Sequence, residues 1–79
     1  MSKMYKIDSY LGGPEPDAYA PIIGTQKQAI DQFRSIAKRF RNLGPHLKYP
    51  IADCNGNTPG KFIMGYKIGD EEWIQLFRI

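Results

Sequence analysis

Between residues 25 and 44, TQKQAIDQFRSIAKRFRNLG, the apolar positions Ala29, Ile30, Phe33, Ile36, Ala37 and Phe40 recur at steps of three and four. That is the period of one face of an α-helix. Thr25 with Gln28 three residues on is a capping-box pattern, in which each side chain satisfies a backbone N–H of the other's turn. Gly44 is placed for a left-handed stop, and Pro45 cannot continue a helix. The spacing therefore predicts one amphipathic helix over residues 25–44. Lys27, Arg34, Lys38 and Arg41 fall on a neighbouring stripe, with Arg39 to its side, so the helix has an apolar underside and a cationic flank.

Elsewhere the period is two. From Met4 to Leu11, Tyr5, Ile7, Ser9 and Leu11 point one way, and Met4, Lys6, Asp8 and Tyr10 the other, which predicts a strand. Gly12-Gly13-Pro14-Glu15-Pro16-Asp17 ends regular structure, and the connection runs on to the helix cap. Tyr19, Ile22 and Ile23 within it suit a lid over the core edge, or a staple of Ile22 or Ile23 against Ala29 or Ile30 at the helix entry. A second irregular stretch spans residues 45–60, with Pro45, Pro50 and Pro59 and an Asn55-Gly56 turn signal. Leu47 to Ala52 within it is a candidate edge strand, the one place in a sheet where Pro50 is tolerated.

The runs KFIMGYKI and EEWIQLFRI flank Gly69-Asp70 and predict a hairpin. Pairing Ile68 with Glu71 sets Lys67 opposite Glu72, Tyr66 opposite Trp73 and Phe62 opposite Phe77, all favourable cross-strand pairs. That register puts Phe62, Met64, Tyr66, Trp73, Gln75, Phe77 and Ile79 on one face, and Ile63, Gly65, Lys67, Glu72, Ile74, Leu76 and Arg78 on the other. Neither face is polar, and a single helix covers one. The aromatic face offers more apolar area, so it is expected under the helix. The reverse assignment exposes Tyr66, Trp73 and Phe77 as a stacking platform beside basic residues. The order β-α-β-β, with long loops, predicts an α+β domain: one helix on a small antiparallel sheet, in a single domain spanning residues 1–79.

Seventy-nine residues allow a thin core, since such a chain buries roughly 60–65% of its unfolded surface. No apolar run is long enough to span a bilayer, and the start MSKMYKIDSY carries no signal core, so no membrane partner and a cytoplasmic location are expected. The single cysteine, Cys54, excludes an internal disulfide. A formal net charge of +3 and an isoelectric point near 9.1 permit nucleic acid, a nucleotide or an acidic protein surface as partner.

Sites for chemistry are sparse. His46, the only histidine, sits just past the helix, where the helix dipole already favours it. Cys54, His46 and Asp53 match no nucleophile spacing, and two N/S ligands are too few for a structural zinc. Asp53-Cys54-Asn55-Gly56-Asn57 lacks the alternating acids and closing Glu of a calcium loop. Gly12-Gly13 is followed by no GK[ST] of a phosphate loop. Glu71-Glu72 reads as edge charge on a hairpin tip. No catalytic residue, metal or cofactor is expected.

The remaining functional signal is the cationic stripe with the hairpin aromatics: Lys27, Arg34, Lys38, Arg39, Arg41, Tyr66 and Trp73 are the candidate binding residues. No Asn or Gln lies within the stripe to read base edges, so sequence-specific DNA recognition is not expected. With YKIDSYL, then TQKQAIDQFRSIAKRF, then KFIMGYKIGDEEWIQLFRI, the chain resembles the small βαββ proteins that phages encode against host defence, anti-CRISPR proteins among them. The resemblance lies in size and element order. It implies a stoichiometric inhibitor that occludes a host protein complex, without catalysis and inside an infected bacterial host. The alternative is a nucleic-acid or nucleotide binder with the stripe on phosphates and Tyr66 or Trp73 stacking on bases. A Cys54/His46 enzyme or metal protein is the third reading, and spare apolar surface also permits a homodimer.

Overall fold

A computed structural model describes residues 3–10 and 19–79; the expected strand end at Leu11 and the Gly12–Asp17 turn lie outside the described residues. Within them the fold is α+β: strands β1 (Lys3–Tyr10), β2 (Ile22–Gly24), β3 (Leu43–His46), β4 (Lys61–Ile68) and β5 (Glu72–Arg78), and one helix, α1 (Gln26–Ala37). The strands form one antiparallel sheet in the order β2-β1-β5-β4-β3. Five strands stand where the sequence predicted three. The two additions are the edges, too short to carry a periodic signal of their own.

The helix begins as expected. The Thr25 hydroxyl accepts from the Gln28 N–H at 3.2 Å, and the Gln28 carboxamide accepts from the Thr25 N–H at 2.9 Å. It ends early, with Lys38 as C-cap and short-range bonds from Arg39 N–H to the Ile36 carbonyl and from Phe40 N–H to the Ala37 carbonyl. The predicted stop at Gly44 is not used. Residues 43–46 instead pair with β4, where Gly44 lets the strands close: a Cβ there would lie 3.0 Å from the Lys67 carbonyl oxygen. No strand forms at Leu47–Ala52, where an edge strand was expected; the edge is Leu43–His46, which takes Pro45 instead of Pro50.

The hairpin register is slipped by one residue at the turn. Ile68 pairs with Glu72 across Gly69-Asp70-Glu71, so Lys67 faces Trp73 and Tyr66 faces Ile74. An irregularity between Phe62 and Met64 absorbs the extra residue and restores Phe62 opposite Phe77, their rings 5.9 Å apart and edge-on. Because side chains alternate with period two, the slip moves Tyr66 and Met64 of β4 onto the face of Ile74 and Leu76.

For β5 that reverses the expected assignment of faces, while Met64 and Tyr66 of β4 stay on the helix side as expected. The helix lies over β2, β1 and β5 and covers the aliphatic side. Ala29, Phe33 and Ala37 of α1 pack with Tyr5, Ile7, Ile22, Ile74 and Leu76, all buried, and Phe33 stacks on Tyr66 at 5.8 Å. The slip unites the β5 aliphatics with Tyr66 and Met64, so this face gains aromatic area without Trp73 or Phe77. Ile22 joins the core beside Ala29, while Ile23, its neighbour in the proposed staple, points away and is 69% exposed.

Phe62, Trp73, Gln75 and Phe77 share the other face with Lys6, Asp8 and Tyr10, across which residues 47–60 run. Gln75 is fully buried there, and its carboxamide holds the segment: Ile51 N–H donates to Oε1 at 3.0 Å, and Nε2 donates to the Ile51 carbonyl at 2.8 Å and to Asp8 Oδ2 at 3.0 Å. A buried amide with both its functions satisfied avoids the cost of an orphaned polar group.

Candidate functional site: a cationic helix flank

Lys27, Arg34 and Lys38 are separated by seven and four residues, steps that return to within roughly 40° of one line on a helix. Phe33 fixes the buried line, which places the three cations on the flank about a third of a turn away. All three are exposed, as are Arg39 and Arg41. Arg39 and Arg41 belong to the turn that follows the helix, so the expected single stripe becomes a flank of three with two more charges gathered at its C-terminal end. Cations there also complement the helix dipole. Asp31 is the only acid on the helix. Among the described residues, none of the five cations has an ion-pair partner. Exposed cations of this kind hold their charge in water at little cost and offer it to a partner.

The hairpin aromatics do not join this flank as one platform. Tyr66 lies on the helix side, with the Phe33 ring stacked on it at 5.8 Å and the His46 ring tilted against it at 4.5 Å. Trp73 is on the far face, partly buried and stacked with Tyr10 at 6.1 Å. The two residues that the sequence placed opposite each other are thus split across the sheet by the one-residue slip. Phe77 is fully buried. Sequence reasoning missed Gln75 as the organiser of the far face, since a lone Gln in a strand carries no signal before its partner Ile51 is known.

His46 is exposed against Tyr66 on the helix side, and Cys54 is exposed in the segment that crosses the opposite face. Thiol and imidazole do not converge. Asp53 is occupied in its own turn, where Oδ1 accepts from the Asn55 and Asn57 N–H groups at 2.9 Å each, so Asp53-Cys54-Asn55-Gly56-Asn57 is a local turn with Gly56 at φ +80°. Among the described residues no three His, Cys, Asp or Glu side chains gather to hold a metal ion. Nor is any helix among them long and apolar enough to cross a membrane.

No protein-family model matches this chain, and neither the curated proteins nor the solved structures contain one significantly similar to it.

Proposed function

We propose that this chain is a non-enzymatic binding protein that docks its cationic helix flank on an acidic protein surface and occludes it, acting in stoichiometric amounts. The observation that carries this reading is the set of five exposed cations, Lys27, Arg34, Lys38, Arg39 and Arg41, with no carboxylate partner among the described residues. The sequence resemblance to small phage-encoded anti-defence proteins points the same way, toward a bacterial host complex as the partner. A nucleic-acid partner would use the same charges but gains most of its affinity per base from open aromatic faces. Here Tyr66 is engaged by Phe33 and His46, and Trp73 lies on the other side of the sheet, so an acidic protein fits the flank better.

The test compares the wild-type chain with an Arg34→Glu/Lys38→Glu variant as bait in bacterial lysate, with and without nuclease. An acidic protein retained after nuclease, released by salt and lost in the variant is the expected result. Retention that vanishes with nuclease, or that survives the charge reversal, rejects the reading. Salt-sensitive binding of a dye-labelled single-stranded oligonucleotide, read by fluorescence anisotropy and abolished in the same variant, would transfer the flank to nucleic acid.

A further inference from the structure

The far face of the sheet is closed by a segment that a single side chain holds down. Residues 47–60 leave β3 with the Leu47 N–H donating to the Gly65 carbonyl at 2.9 Å, and rejoin β4 at Gly60, which packs against the Arg78 carbonyl. Between those ends, the described hydrogen bonds from the segment to the sheet are the pair that joins Ile51 to Gln75. The other bonds of the segment are internal, in the Asp53 turn and from the Thr58 hydroxyl to the Gly60 carbonyl. Most of its side chains are exposed. It is not packed flat: a cleft of about 250 Å³ separates Asp53, Asn57 and Thr58 from Lys6 and Asp8 of β1. On the same sheet face as Gln75 lie Phe77, fully buried although the helix is on the opposite side, and Phe62.

We propose that residues 47–60 are a latched cover, which lifts between Leu47 and Gly60 when Ile51 leaves Gln75 while the sheet and helix stay folded. Local opening of this kind gives up two hydrogen bonds and the contacts of Ile51, and regains chain entropy over the whole segment. It uncovers a second contact surface, remote from the cationic flank. Phe62 and Phe77 supply its apolar area, and the freed Gln75 carboxamide presents one donor and one acceptor at the spacing of a peptide group. An extended backbone in place of Ile51 is the chemistry that matches it.

Amide hydrogen exchange on the full chain tests the latch. The Ile51 amide is expected to exchange at least tenfold faster than that of Leu76, which sits between two neighbours in β5. Equal rates in the wild-type protein mean that the cover opens only by global unfolding, and overturn the proposal without any variant. Gln75→Leu should speed Ile51 exchange further, leave Leu76 protected and raise emission of the dye ANS. Unchanged Ile51 exchange rejects the latch, and unchanged ANS emission rejects the uncovered surface. Should Gln75→Leu fail to fold, the wild-type ratio of the two rates decides.

Discussion

The two faces of the sheet are closed by different physics. On one, a capped twelve-residue helix lays Ala29, Phe33 and Ala37 on a layer of Tyr5, Ile7, Ile74 and Leu76, a dry contact between regular elements. On the other, an irregular segment is held by the carboxamide of one buried Gln and leaves a polar cleft beneath it. The first closure draws on apolar area and is costly to undo anywhere along its length. The second is concentrated at a point. Stability therefore resides on the helix side, and adaptability on the other.

Substitutions break this comparison in graded steps. Phe33→Ala empties the centre of the helix contact, where the ring is wholly buried and stacked on Tyr66. It should cost about 3–5 kcal/mol, enough to abolish cooperative melting by circular dichroism in so small a domain. Gly65→Ala strikes the other closure. A Cβ there would meet Leu47 Cδ1 at 2.8 Å, Gln75 Cβ at 2.9 Å and the Ile74 carbonyl at 3.0 Å. Since Leu47 is at the mobile end of a side chain and the other two are not, the expected loss is about 1–3 kcal/mol in a urea melt. Thr25→Ala removes one half of the capping box and should cost about 1 kcal/mol, with Thr25→Ser restoring most of it. Arg34→Glu/Lys38→Glu touches neither closure and should leave the melting free energy within about 0.5 kcal/mol per site, while abolishing capture of the acidic partner. A charge reversal that unfolds the chain would mean these cations serve the fold and not a partner.

The helix side was legible in the sequence because its signals are local and periodic. Thr25 and Gln28 cap as their spacing requires, and Ala29, Phe33 and Ala37 fall on the buried line. The helix C-terminus was not legible. Gly44 and Pro45 form a stop signal that is locally sound, but pairing of Leu43–His46 with β4 gives those residues ladder bonds that a longer helix would forgo. The hairpin was placed correctly as an element and misread in register, because Gly69-Asp70 fits a two-residue turn and the extra residue is absorbed at the far end, between Phe62 and Met64. One slipped residue was enough to part Tyr66 from Trp73 and to exchange the covered face of β5. Of the candidate binding residues, the five cations are exposed as the pattern implied, while the aromatics depended on that register.

Strand β5 stands between β1 and β4, so the sheet is stitched at its middle by residues 72–78 pairing with residues 5–10 on one side and 61–68 on the other. A growing chain that has reached only Ile68 has partners for at most two strand pairs, β1 with β2 and β3 with β4, each marginal alone, and no seam to join them. Assembly must wait for the latest of the five strands and close a loop that spans nearly the whole sequence. Until then the apolar undersides of both pairs, and of the helix, are open to other molecules, which makes the interval of synthesis the stage at which this protein most needs protection from aggregation.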